Sequence, residues 1–263
     1  MARVNDPSRR EAYLTALRVG SGVAFFAAWQ FTAMSHVFSD FLLPSVPVVF
    51  ARLLHDLVSG DLLYGILLTL IRTFIGFVLA AVGGIVLGVS IARIPAVRWF
   101  FDPLVSIGLP MPKIAFLPIF MLWFGVFDTS KVLMVTFSSI FPVIVESWSG
   151  TQNIDKYMTW SAMSLGVNRH RFLWEIALPA ALPQVFTGLQ VALPIALIVD
   201  IVCEMQMGGE GMGGSIMTDM RFADSPGVFA YIIAIAVVGM ILVKAMEIVR
   251  RRLLVWHQEA QAA

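Results

Sequence analysis

The chain has 263 residues, of which 59% are hydrophobic and 13% charged, with a mean hydropathy of +0.84. A soluble domain carries about a quarter charged residues, so this composition points to the membrane. The net charge of +1 gives no general attraction to nucleic acid, and a single cysteine, Cys203, excludes an internal disulfide and any cysteine-based metal cluster.

A membrane-spanning helix needs about 20 mostly apolar residues. The first span is predicted over Arg18 to Phe38, behind a polar N-terminal tail at 1–17. This apolar run is long and lacks a small-residue cleavage site, so no removable signal peptide is expected. Ser39 to Asp61 reads as a loop plus a short amphipathic piece. The second span, Leu62 to Ala92, is longer than a bilayer requires. It carries Gly76, Gly83, Gly84 and Gly88 near i, i+4 spacing, which lets another helix approach closely. The third span lies within Phe101 to Phe124 and is interrupted by Pro103, Pro110, Pro112 and Pro118. Each proline removes a backbone donor, which lipid tolerates only where protein or a wet cavity compensates. The fourth span runs from Lys131 to Trp148 with Pro142 inside, the fifth from Gln184 to Glu204, and the sixth from Gly227 to Val249. A polar tail, 250–263, closes the chain. The expected fold is therefore all-α, a polytopic membrane protein of about six transmembrane helices occupying 18–249.

Six spans place both termini on one side. With the termini cytoplasmic, the inner segments hold Arg3, Arg9, Arg10, Arg18, Arg93, Arg98, Lys156, Arg169, Arg171, Lys244 and Arg250–Arg252. The outer segments hold only Arg52, Lys131 and Arg221. The positive-inside rule selects that orientation.

The longest polar-flecked stretch between two apolar spans, Thr159 to Pro183 within a loop at 150–183, then faces the cytoplasm. Asp155 to Leu165 reads as a helix ended by Gly166, which adopts a left-handed conformation without steric cost. Asn168 caps a second helix, Arg169 to Leu178, which Pro179 is expected to stop. Two readings stand: an amphipathic loop lying on the inner leaflet, or a rigid knob offered to a soluble partner.

The chain carries no Gly-x-x-x-x-Gly-Lys-Ser/Thr phosphate loop, so it is not an ATPase by that route. The Gly-x-Gly-x-x-Gly string at Gly209 to Gly214 follows no soluble strand and reads as a sharply bent outer loop. His36, His55, His170 and His257 share no ligand spacing, and no Ser/His/Asp set is recognisable. No metal and no catalytic residue are expected. Charged groups inside spans usually face a bundle interior or cavity. The candidates are Arg72, Lys113, Glu146, Asp200 and Glu204. Gln190, Leu193, Leu197, Asp200 and Glu204 form one helical stripe. Asp200 and Glu204 would repel each other unless one is neutral or a basic group such as Arg72 or Lys113 sits nearby.

Gly166, nine intervening residues and then Ile176-Ala177-Leu178-Pro179 resembles the cytoplasmic loop signature of permease subunits in bacterial ABC importers. Leu109–Gly125, Ser164–Pro183 and Cys203–Gly213 resemble the nitrate/sulfonate/taurine branch. The likeness covers Leu62 to the C-terminus. It implies a bacterial inner-membrane permease whose loop forms a coupling helix docking on a separate ATPase. The carried-over residues are Trp160, Ser164, Leu165, Gly166, Val167, Arg169, His170, Arg171, Phe172 and Pro179. The family loop usually begins Glu-Ala-Ala-Arg, where this chain has Trp160-Ser161-Ala162-Met163, so its partner surface is altered. The resemblance further implies a second permease copy, two cytoplasmic ATPase subunits carrying ATP and magnesium, an external solute-binding protein, and a small anion as solute. Lys113, Asp200, Glu204, Gln190 and Arg72 are the candidates for the translocation pathway. The rival reading is a self-contained secondary transporter or channel that uses the intramembrane charges and needs no ATPase.

Overall fold

The computed structural model describes residues 7–35 and 37–254. Among these the chain is helical, with no strand. His36 and His257, residues 1–6 of the expected N-terminal tail and 255–263 of the C-terminal tail lie outside the described residues. In chain order the helices are α1 (Pro7–Met34), α2 (Val46–Ser59), α3 (Asp61–Arg93), α4 (Pro95–Gly108) and α5 (Leu117–Phe124), the last preceded by a 3-10 turn at Lys113–Phe116. They continue with α6 (Asp128–Gln152), α7 (Lys156–Ser164), α8 (Arg169–Phe172), α9 (Leu178–Met207), α10 (Met212–Arg221) and α11 (Ser225–Leu253).

Four of the described helices are long and apolar enough to cross a membrane: α3, α6, the stretch Glu175–Met207 containing α9, and α11. A fifth crossing arises if α4 and Lys113–Phe124, bent by 99°, form one broken span. The bend sits where Pro110 and Pro112 deny the backbone two donors, as the proline pattern predicts. The first predicted span falls in α1, a 28-residue helix that takes in Pro7 to Leu17, read above as tail, and that is not among the helices apolar enough to cross; the six expected spans thus become four or five among the described residues.

The chain divides into two compact units. The first comprises residues 1–62 and 216–234. In it the Trp29 indole donates to the Pro44 carbonyl at 3.0 Å, and the Val46 N–H donates to Gln30 Oε1 at 2.9 Å, which fixes the turn from α1 into α2. Arg52 on α2 pairs with Asp56 and Asp224 at 2.9 Å each and lies 3.7 Å from Asp219. The predicted amphipathic piece is thus α2.

The second unit comprises residues 63–215 and 235–263. Its core joins Phe77 of α3, Leu117 of α5, Met134, Val135 and Val143 of α6, and Ala192, Leu193, Ala196, Val199 and Cys203 of α9. Cys203 is fully buried there. Small residues set the helix spacing. A Cβ on Gly76 or Gly84 would come within 2.6–2.7 Å of Val135 or Val143, and one on Gly88 within 2.6 Å of the Ile144 carbonyl. The helices α3 and α6 therefore run side by side at a separation that only glycine permits. Gly150 against Gln184 and Gly188 against Glu146 do the same for α6 and α9, which run antiparallel. The outward faces of α3 stay apolar, with Phe74, Val82 and Val86 exposed, as lipid-facing surface requires.

Pro179 does not stop a helix. It lies in the first turn of α9, after a π-helical turn over Leu173–Ala177. The chain is helical without a break from α8 through that turn into α9, and the candidate span already begins at Glu175, so Pro179 is carried within a continuing helix. Pro183 and Pro194 are carried inside α9, and Pro142 inside α6.

Candidate functional site

Two constructions in the second unit gather the polar side chains. The first is a buried charge network. Thr69, Arg72 and Thr73, at i, i+3 and i+4 on α3, face Asp200 and Glu204, one turn apart on α9. Glu204 is fully buried. Its oxygens accept from the Thr69 hydroxyl at 2.9 and 3.0 Å, from Arg72 Nη1 at 2.8 Å and from the Gly213 N–H at 2.9 Å. Arg72 also donates to the Glu210 carbonyl at 2.7 Å and pairs through Nε with Asp128 at 2.8 Å. The Thr73 hydroxyl donates to Asp200 Oδ2 at 2.9 Å, and Oδ1 has no partner among the described residues. Lys131, 2% exposed, donates to the Gly208 carbonyl at 3.1 Å and lies 4.0 Å from Asp128.

The loop from Gly208 to Gly214 is shaped by this network. Met212 donates its N–H to Thr69 at 3.0 Å. A side chain on Gly211, at φ +132°, would strike the Glu204 carboxylate, and one on Gly213 would strike the Ile201 carbonyl. The glycines are thus the condition for the loop to close over Glu204.

Of the predicted pathway residues, the structure brings Arg72, Asp200 and Glu204 together. The basic group expected to relieve the acidic pair is Arg72. Lys113 stands elsewhere, at the α4–α5 break, where Nζ donates to the Leu109 carbonyl at 2.7 Å and lies 5.1 Å from the centre of the Phe141 ring. Gln190 is half-buried and shares none of these bonds, being ten residues before Asp200 and about 15 Å along the helix. Glu146 packs its stem on Gly188. Sequence reasoning missed Lys131, counted as an outer-segment charge, and Thr69, Thr73 and Asp128. The available signal was the threonine–arginine–threonine stripe on α3, which has the same pitch as the acidic stripe on α9.

The second construction is the loop between α6 and α9. Asp155 caps α7, its carboxylate accepting from the Tyr157 N–H at 2.8 Å. The C-terminus of α7 carries two closing bonds, Gly166 N–H to Met163 O at 3.0 Å and Val167 N–H to Ala162 O at 3.1 Å, with Gly166 at φ +74°. That paired pattern with a left-handed glycine is the Schellman ending, as the sequence predicts. Asn168 then accepts from the Arg171 N–H at 2.8 Å and caps α8. Underneath, Ala162, Phe172 and Ala177 are buried with Val167 and Ile176 packed on them. The Arg93 guanidinium stacks on the Phe172 ring at 5.1 Å, and Arg93 donates to the Thr151 carbonyl at 3.4 Å. The end of α3 is thereby tied to the loop.

The opposite side is open. Tyr157 (73% exposed), Trp160 (59%), Met163 (61%) and Leu165 (83%) project outward, the two rings edge to face at 5.6 Å. Ser164 is also exposed, and Arg171 pairs with Glu175 at 2.8 Å. The side chains of Arg169 and His170 lie outside the described residues. Four large apolar groups on a folded, capped loop make a surface suited to burial against another body.

Residues 84–255 match the protein family described as binding-protein-dependent transport system inner membrane component. The chain is 28% identical over 250 residues to the taurine transport system permease protein TauC of Escherichia coli, covering 93% of this chain and 91% of that one. It is 30% identical over 231 residues to the aliphatic sulfonates transport permease protein SsuC of Bacillus subtilis, covering 88% and 84%. A solved amino acid ABC transporter superposes with a TM-score of 0.60 at 17% identity, over 74% of this chain and 95% of that one, and so shares the fold.

Proposed function

Because the chain belongs to the binding-protein-dependent transport system inner membrane component family, in its nitrate/sulfonate/taurine branch, we propose that it forms the translocation pathway of an ATP-driven importer for a small anion such as a sulfonate, nitrate or taurine. It is a multi-pass inner-membrane permease subunit. The observation that carries the mechanism is the capped loop between α6 and α9. It is folded on its own small core, tied to α3 through Arg93, and presents Trp160, Met163 and Leu165 outward. A rigid knob of this kind transmits a push from a soluble partner into the spans; a floppy loop would absorb it.

In this reading the permease is a homodimer with both termini cytoplasmic. Two ATPase subunits, which hold ATP and magnesium, seat the segment from Trp160 to Phe172. The residues Ser164, Gly166, Val167, Arg169, His170 and Arg171 form that contact, and Pro179 lies near the start of the span that receives the motion. An external binding protein delivers the solute. Closure of the ATPases on ATP draws the two loops together and turns the bundle outward. Arg72, Asp200, Glu204, Gln190 and Lys113 remain the polar groups of the pathway. Among them Glu204 is saturated by Thr69, Arg72 and Gly213, which supports a positioning role and argues against an exchangeable proton site in a secondary transporter.

The test is purification from native membranes by a C-terminal tag, with mass spectrometry of what accompanies the chain. A stoichiometric phosphate-loop ATPase, lost on Trp160→Glu with Leu165→Asp, is the expected result. A lone chain that still drives gradient-dependent uptake in vesicles would overturn the importer reading.

A further inference from the structure

Arg72, Lys113 and Lys131 are basic side chains of the described spans, and their surroundings differ. Arg72 faces Glu204 and Asp128 at 2.8 Å, and Lys131 has Asp128 at 4.0 Å. Lys113 has no carboxylate within 4 Å among the described residues. Its ammonium carries three donors. One is spent on the Leu109 carbonyl, exposed because Pro110 and Pro112 cannot continue the helix, and the charge rests against the Phe141 ring. That ring cannot retreat towards α4: a side chain on Gly108 would strike it, so the backbone of α4 already lies against its edge.

From Phe141 a run of rings leads away. Phe141 and Phe137 have centroids 5.7 Å apart, Phe137 and Phe120 5.7 Å, and Phe137 and Phe116 5.6 Å. All four rings are half-buried, as is Lys113. An uncompensated ammonium in a span attracts an anion. An apolar wall beside one well-placed polar group is the usual make-up of an organic ligand site. We infer that the α4–α5 break holds a substrate subsite for an amphipathic organic anion, its sulfonate or carboxylate on Lys113 and its aromatic or alkyl body along Phe141, Phe137, Phe120 and Phe116. This rests on the importer reading and deepens it by excluding nitrate as the preferred solute. A lysine that only capped α4 would show no preference among anions.

The experiment titrates benzenesulfonate, taurine and sodium nitrate, at constant ionic strength, into the permease purified with its ATPase, following binding by calorimetry. Benzenesulfonate is expected to bind more tightly than the other two. Lys113→Gln should weaken it about tenfold or more, as loss of a charge-assisted hydrogen bond implies, while Lys113→Arg retains it. Phe137→Leu should weaken benzenesulfonate and leave taurine unchanged, and it serves also if Lys113→Gln does not fold. Equal affinity for nitrate, no binding of benzenesulfonate, or indifference to both Lys113→Gln and Phe137→Leu would overturn the subsite. Co-purification of the ATPase with the permease reports the importer reading separately, since it depends on the loop and not on the anion.

Discussion

At the scale of single residues, the buried Glu204–Arg72 pair sets the largest energies. Removing one partner of a buried ion pair leaves an uncompensated charge and costs about 3–5 kcal/mol, whereas replacing both by apolar groups is often close to neutral. Glu204→Leu should therefore lower the unfolding midpoint in detergent sharply, and Glu204→Leu with Arg72→Met should recover much of the loss. A double variant no better than the single would show that the pair is not the unit. Asp219 gives a prediction in pH. Burial foremost, with Asp224 and Asp56 adding to it, lifts its carboxyl to about 6 against the pull of Arg52. A carboxyl raised above its unfolded value binds its proton more tightly when folded, so stability falls as pH rises from about 4 through about 6. Asp219→Asn should flatten that slope and raise the midpoint at pH 7.5. Thermal scans at pH 5 and pH 7.5 check both, and an unchanged slope would contradict the assignment.

At the scale of elements, glycine divides into two kinds. Gly88 exists for proximity, and Gly88→Leu should abolish folded protein, because α6 backbone and Ser147 occupy the space. Gly166 exists for conformation. Nothing lies within 4 Å of where its side chain would be, so Gly166→Val strains only the backbone, by about 1–2 kcal/mol, within the loop. Size-exclusion profiles should be unchanged while uptake is lost and ATP hydrolysis persists. Wild-type uptake would remove the rigid-knob account. These elements differ in how readable they were. The apolar runs gave α3, α6, α9 and α11 to within a few residues at most ends, and Gly166 and Asn168 were readable because turn and cap chemistry is local. Pro179 was misread because proline was taken to end the loop helix, whereas the helix runs on through a π-helical turn at Leu173–Ala177 and carries the proline inside it. The charge network was half legible. The acidic stripe and Arg72 showed their periodicity, but Lys131 looked like an outer loop charge, and its partner carbonyl at Gly208 lies 77 residues along the chain.

At the scale of the whole molecule, the described spans are apolar on their outward faces as well as in their core, and their buried charges are confined to one network. The described helices leave Trp123, Phe222 and Trp99 more than two-thirds exposed, an apolar surface suited to lipid or to another chain. Native mass spectrometry of the tagged complex should find two permease copies with two ATPases; a single permease in an otherwise active complex would contradict the homodimer.

Cys203, the only thiol in the chain, is sealed in the core of α9, and a buried thiol is inert to reagents. The wild-type sequence therefore behaves as a cysteine-free background for labelling. One new thiol at Met163 or Leu165 would take a spin label or fluorophore without competition. In a two-copy assembly the symmetry supplies the second label for a distance measurement. Movement of the loop under ATP can be followed in the otherwise native protein, with no core mutation to compensate.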